Sequence, residues 1–288
     1  MGTETQDELL TVLNQMKSEL ENKSEESNQE KNLTSDPLPI CPKCHGSGWE
    51  LFKDEKGYEV ARECDCGILE RSRQESKLRF AAIPKAYENV RLAEFSTKYY
   101  SPENKKLAKV IAQTVKYWFE HKDEMTEQGK GLYFWSDTKG CGKTMLATAM
   151  ANELIHKYRE SVKFATSLDI LDEIRSTYNH NNKWFSSSED SESRLLNDLA
   201  TVKYLVIDDF GTERVTDWVG EKFYQIVNKR YINKKVTFFT SNYDLKTIDY
   251  DSRITSRIRE RAYIVHFPEE SVREIKAQQE EKSIQNGG

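Results

Sequence analysis

Apolar residues along this chain fall into short unbroken runs, separated by stretches with a helical period. Gly131-Leu132-Tyr133-Phe134-Trp135 and Tyr204-Leu205-Val206-Ile207 carry no charge. Runs of that length and composition predict strands buried on both faces. Residues 162–166, 236–241 and 262–267 predict three further strands. Residues 104–121, 143–154, 168–178, 194–200 and 218–231 predict helices between them. Such alternation predicts an α/β fold, a parallel sheet flanked by helices.

Ahead of this region the pattern changes. Leu9, Leu13, Met16 and Leu20 recur at i, i+4, i+7 and i+11, predicting a helix over 5–22. It either docks on a partner or lies as a surface helix on its own chain, because an isolated short helix is marginal in water. Residues 24–39 are polar, acidic and tipped with proline, the composition of a flexible linker. A charged helix over 67–80 leads to Ile83-Pro84, a natural boundary. The expected domains are therefore an N-terminal helix and linker (1–38), a cysteine-bearing module with its connecting helix (39–82), and the α/β domain (83–288). A polar insertion over 179–193 carries Trp184 and Phe185. It reads as a mobile surface loop, or as an aromatic pair that stacks on bases or a partner.

Composition narrows the function classes. The 288 residues are 37% hydrophobic and 32% charged, with no apolar run long enough to span a membrane. The acidic first residues lack a basic stretch followed by an apolar one, so no signal peptide is expected and the cytoplasm is the expected compartment. The net charge of −5 is concentrated at the start: residues 1–40 hold three Lys/Arg against nine Asp/Glu. The rest is close to neutral. A nucleic-acid partner would need a local basic patch.

Two stretches carry chemistry. The first is Gly140-Cys141-Gly142-Lys143-Thr144-Met145, between the strand at 131–135 and the helix at 143–154. Strand, glycine turn and helix in that order make a phosphate cradle. Backbone N–H groups and a helix N-terminus face the anion, Lys143 reaches the outer phosphates, and the Thr144 hydroxyl binds Mg²⁺. Asp137 stands where the usual pattern has its first glycine, and is expected to cost more than glycine in an unusual backbone conformation. Cys141 reads as a small filler within the loop. The second stretch is the strand closed by Asp208-Asp209. Paired carboxylates at a strand end need a cation or water. Asp208 is the candidate Mg²⁺ holder, and Asp209 the group that orients or deprotonates an attacking water.

Four of the five cysteines, Cys41, Cys44, Cys64 and Cys66, lie within 26 residues. In a reducing compartment that density points to a metal rather than to disulfides. Four thiolates from two knuckles make a closed, structural Zn²⁺ site. Cys-x-Cys is less common than Cys-x-x-Cys, so His45 stays open as a substitute ligand, and free or redox-active thiols are the alternative.

The order Gly140-Cys141-Gly142-Lys143-Thr144, Val206-Ile207-Asp208-Asp209-Phe210-Gly211-Thr212-Glu213, Phe239-Thr240-Ser241-Asn242 and Ser252-Arg253-Ile254-Thr255-Ser256-Arg257-Ile258 resembles the AAA+ ATPases. Within them the chain is similar to the DnaC/DnaI-type replicative helicase loaders, over roughly residues 80–275. The cysteine module also resembles the zinc-bearing N-terminal region of Firmicute and phage members. The resemblance implies an ATP-dependent loader that binds a hexameric replicative DNA helicase and delivers it onto single-stranded DNA, self-associating through its ATP site. It implies ATP, Mg²⁺ and Zn²⁺ as bound groups and a slow hydrolysis stimulated by DNA. Asn242 then matches a sensor of the lytic water and Arg257 the arginine finger toward a neighbouring subunit. Arg253 would assist it, and Arg273 matches a second sensor. The few residues after Arg273 leave no room for a helical lid domain, as in the loaders. IstB-type transposition helper ATPases share these motifs, and a nucleotide-binding regulator that sequesters the helicase is a further alternative.

Overall fold

The alternation read from the sequence becomes a five-stranded parallel sheet in the computed structural model, which describes residues 41–179 and 188–286. The expected helix at 5–22, the linker at 24–39 and the Trp184-Phe185 pair lie outside the described residues. The chain divides into two units, the first ending at Ile68 and the second beginning at Leu69.

In the first unit, β1 (Trp49–Lys53) and β2 (Glu59–Glu63) form an antiparallel hairpin, with Trp49 opposite Glu63 and Lys53 opposite Glu59. The sequence reading had no strands here. Both are short and almost fully exposed, so neither face carries the apolar alternation by which a half-buried strand is recognised.

The second unit contains α1 (Ile68–Ala81), α2 (Pro102–Glu120), α3 (Lys122–Gln128), β3 (Gly131–Trp135), α4 (Lys143–His156), β4 (Val162–Thr166), α5 (Ser167–Asn179) and α6 (Ser188–Thr201). It continues through β5 (Tyr204–Asp208), α7 (Asp217–Ile232), β6 (Val236–Ser241), α8 (Ser252–Arg261), β7 (Ala262–His266) and α9 (Val272–Asn286). From sequence α1 was grouped with the cysteine module. Here Ala81 lies fully buried in the second unit's core and Leu78 packs against it.

The strand order is β4-β5-β6-β3-β7, all parallel. Alternation along each strand feeds two cores, one on each sheet face. Leu132, Phe134, Val206 and Phe238 join Trp118, Leu146, Met150 and Phe267 in one. Tyr133, Leu205, Ile207 and Phe239 join Phe210, Phe223, Ile226 and Ile254 in the other. Gly131 has a steric reason: a Cβ there would stand 1.8 Å from the Thr237 carbonyl oxygen of the next strand. The chain leaves β3 in the middle of the sheet and re-enters at the far edge with β4. This opens a crevice at the carboxyl ends of the strands, where α/β sheets place their ligands.

The helices α3, α8 and α9 were not foreseen. In α8 only Ile254 and Ile258 are buried, one i, i+4 pair among arginines and hydroxyls. In α9 every described residue is exposed or half-buried, and no apolar stripe marks it.

Candidate functional site

The loop from Ser136 to Gly142 links the end of β3 to the start of α4. Gly140 (φ 78°) and Gly142 (φ 103°) are left-handed, as a phosphate-loop glycine must be. A Cβ on Gly140 would meet Ser271 Oγ at 2.8 Å and Arg273 Cβ at 3.0 Å. The loop is thus seated on the start of α9, with the Arg273 N–H donating to the Gly140 carbonyl at 3.2 Å. Helix α4 begins at Lys143 with no side-chain cap, which leaves its first N–H groups for an anion.

Asp137 corrects one expectation. Its backbone is not in the left-handed region, so it bears no cost for replacing glycine. Its N–H donates instead to the Glu269 carboxylate at 3.3 Å. Glu269 also accepts from the Thr138 N–H (2.8 Å) and the Ser136 hydroxyl (3.0 Å), and pairs with His266 Nε2 at 2.8 Å. Partial burial alone would raise the Glu269 pKa. The hydrogen bonds from Thr138, His266 and Ser136 outweigh it and hold the carboxyl at about 2.

Lys143 is buried, its ammonium donating to the carbonyls of Thr138 (3.0 Å) and Ser136 (3.2 Å) and lying 3.5 Å from Cys141 Sγ. Cys141 is buried and its carbonyl accepts from the Tyr100 hydroxyl at 2.7 Å, as befits a filler residue.

Asp208 ends β5 and is buried; burial pushes its carboxyl above the usual carboxylate range. Hydroxyls of Thr240 and Thr144 donate to it and oppose that rise, while the neighbouring Asp209 adds to it. Asp209 leaves the strand in a left-handed conformation (φ 53°), a region that aspartate tolerates better than most residues. Its N–H donates to Thr240 Oγ1 at 2.9 Å, and its carbonyl accepts from the Ser167 and Thr212 hydroxyls. One hydroxyl of β6 therefore holds both the Asp208 carboxylate and the Asp209 backbone N–H.

One open cleft gathers these parts: Gly140, Gly142, Lys143, Thr144 and Met145 on one side, Asp209, Thr212 and Asn242 on another, and Arg273 with Lys276 from α9. Of the expected residues, Cys141 and Asp208 are buried beside that lining, and Arg257 stands apart on α8, outside the cleft. There Arg257 Nε donates to Asn228 Oδ1 at 2.9 Å. Arg253 is exposed and paired with Asp251 at 3.0 Å.

Sequence reasoning missed Thr240, Glu269 and the cleft-lining Tyr87. A polar residue inside an apolar central strand was a usable signal for Thr240, because such a group must find a partner. Glu269 meets its partners across more than 130 residues of chain, and nothing local marks it.

In the first unit, the ligand atoms of Cys41, Cys44, Cys64 and Cys66 lie within 4.8 Å of one another. Sγ–Sγ distances are 3.7 Å for Cys41–Cys64 and 3.6 Å for Cys44–Cys66. Four thiolates set tetrahedrally about 2.3 Å from a zinc ion stand ~3.8 Å apart, so the donor set fits Zn²⁺. These spacings are far beyond a disulfide. His45 is exposed, sits in the left-handed turn of the first knuckle (φ 49°), and is not one of the clustered ligands. No helix among the described residues is long and apolar enough to cross a membrane.

A family described as IstB-like ATP binding protein matches residues 69–280. The chain is 27% identical over 225 residues to the replicative helicase loader DnaC of Buchnera aphidicola subsp. Baizongia pistaciae (strain Bp), covering 77% of this chain and 85% of that one. It is 32% identical over 129 residues to the replicative helicase loader DnaC of Escherichia coli (strain K12), covering 44% of this chain and 49%, about half, of the relative. A crystal structure of the DnaC helicase loader superposes with a TM-score of 0.51 at 26% identity, over 64% of this chain and all of that one.

Proposed function

We propose a function from one premise: the chain belongs to the IstB-like ATP binding protein family, an AAA+ relative of the DnaC-type loaders. It is an ATP-dependent loader of a replicative DNA helicase, and its second unit is the engine. The observation that carries this reading is the single cleft that gathers the phosphate loop, Asp209, Asn242 and Arg273.

The residues divide the work by their chemistry. The uncapped N–H groups of α4 and the Lys143 ammonium would hold the phosphates, the ammonium exchanging its loop carbonyls for them. Thr144 and Asp208 would hold Mg²⁺, whose charge would favour the ionised form of the buried Asp208 carboxyl. Asp209 would orient water, with Asn242 beside it as the sensor and Arg273 reading the nucleotide from α9. Bound ATP·Mg²⁺ supplies the phosphoryl bond to be broken. Arg257, outside its own cleft, would serve the site of a neighbouring copy, a contribution worth about 10³–10⁵ in rate where such fingers operate. Hydrolysis would then loosen copy from copy and release the helicase onto single-stranded DNA. Cys41, Cys44, Cys64 and Cys66 would hold a structural Zn²⁺ in the part that grips the helicase.

Lys143→Ala tests the site. Expected is loss of ATP-dependent helicase delivery onto single-stranded DNA, measured by strand unwinding. Hydrolysis and delivery at the parental rate in this variant would sink the proposal. The IstB-like family match favours one rival, a transposition helper acting with a transposase. A pull-down offering candidate helicases and transposases to the full chain decides between them.

A further inference from the structure

On the faces that α7 and α8 turn toward each other, aromatic rings and guanidinium groups interleave. Tyr224, Asn228 and Tyr231 lie three or four residues apart on α7, hence on one face. Arg253, Arg257 and Arg261 recur every fourth residue on α8. The Arg257 guanidinium carbon lies 5.3 Å from the Tyr224 ring centre and 5.6 Å from that of Tyr231. Tyr231 in turn is fastened by its hydroxyl to Glu260 at 2.8 Å.

Only one side chain grips Arg257 by a hydrogen bond among the described residues. Asn228 Oδ1 accepts from Nε at 2.9 Å, while the Arg253 carbonyl accepts from Nη1 at 2.7 Å. Both acceptors are neutral. A carboxylate in place of Asn228 would have held the guanidinium in an ion pair and diminished its attraction for an outside anion. Nη2 carries no hydrogen bond to a described residue, so the fork's remaining edge is available for such an anion. The rings restrict the plane of the fork, and the amide fixes its rotation.

We propose that Asn228 is a positioning residue: its side-chain amide aims the Arg257 fork out of the α7–α8 seam, toward a phosphoryl oxygen held by a second copy of this chain. The inference rests on the assignment of Arg257 to a neighbouring copy's ATP. The effect should fall on turnover rather than on nucleotide affinity, since Asn228 lies outside the cleft where its own chain would bind ATP.

Full-length parent, Asn228→Leu, Asn228→Asp and Arg257→Ala are compared for ATP binding by calorimetry and for DNA-stimulated turnover over an ATP titration. Asn228→Leu removes the acceptor at similar volume. It should lower kcat about tenfold with binding and KM within about twofold, because a misplaced catalytic group costs rate rather than affinity. Asn228→Asp keeps the acceptor but adds the competing ion pair, and should recover only part of the rate lost in Asn228→Leu. Each finger-impaired variant is then mixed with Lys143→Ala, which has an intact seam and a disabled site. Mixing should raise turnover well above the sum of the separate proteins, because intact sites then meet intact forks. Parental turnover in Arg257→Ala would remove the finger assignment itself. A slow Arg257→Ala beside a parental Asn228→Leu would overturn only the role of Asn228. So would an Asn228→Leu defect that mixing fails to relieve while it relieves Arg257→Ala, for that defect would lie within one chain.

Discussion

The two units of this protein are stable for different reasons. The parallel-sheet unit buries whole strands: every residue of β5 and β6 is buried, and two apolar cores flank the sheet. Among its described residues the cysteine unit buries little besides Cys44, Gly48 and Cys64, while Leu51 remains 71% exposed and Tyr58 68%. The apolar burial of residues 41–68 is too small to offset the conformational entropy of ordering them. On the proposed reading its order would come from cross-linking, and the sulfur spacing is compatible with a metal as the cross-link. One unit is held by area, and the other would be held by coordination.

The largest effect that sharpens this contrast is metal removal. Chelation, or Cys44→Ser, should unfold the first unit, since structural zinc contributes about 10–16 kcal/mol to such modules. Native mass spectrometry should lose one zinc, and hydrogen exchange should lose protection in residues 41–66 alone. Loss of protection across β3 and β6 as well would break the contrast. The converse experiment is Phe238→Ala. Phe238 is fully buried, 5.0 Å edge-on to Trp118, and its truncation should cost about 3–5 kcal/mol in urea unfolding of the sheet unit. Zinc content should not change; metal loss in this variant would show that the units fold together.

The smallest effect concerns Glu269, which clasps the phosphate loop. Its carboxyl is held at about 2 against an ordinary 4.5, a depressed acid. Such a group stabilises the fold above its unfolded pKa, and that contribution is lost as pH falls from about 4.5 toward 2. The parent should therefore melt above Glu269→Gln at neutral pH, with the gap closing on acidification below about 4.5. The group is well solvated, so the difference should be small. A gap that widens on acidification would contradict the geometry.

Much of the sheet unit could be read from the chain, because its signals are local. A short apolar run with no charge has few fates, and β3 and β5 lie where that pattern put them. The loop from Gly140 to Thr144 was legible for the same reason: the left-handed glycines, the lysine and the hydroxyl are neighbours in sequence. Helices α8 and α9 were not, since each carries too few apolar residues for a stripe and takes its place from what it packs on. The strain expected at Asp137 was also absent, because the loop reaches its shape through Gly140 and Gly142 alone.

What the sequence determined by itself was the five strands of the parallel sheet, the glycine loop, the paired acids at the end of β5 and the four clustered thiols, each within a few residues of its own signal. Tertiary structure alone decided that Thr240 clasps both Asp208 and Asp209, that Glu269 closes on the loop across the chain, and that Arg257 lies outside its own cleft beside Asn228. The physical reason is one of range. Backbone preference and hydrophobic period act over a turn or a strand, whereas a hydrogen bond between distant segments exists only after packing has brought donor and acceptor within about 3 Å.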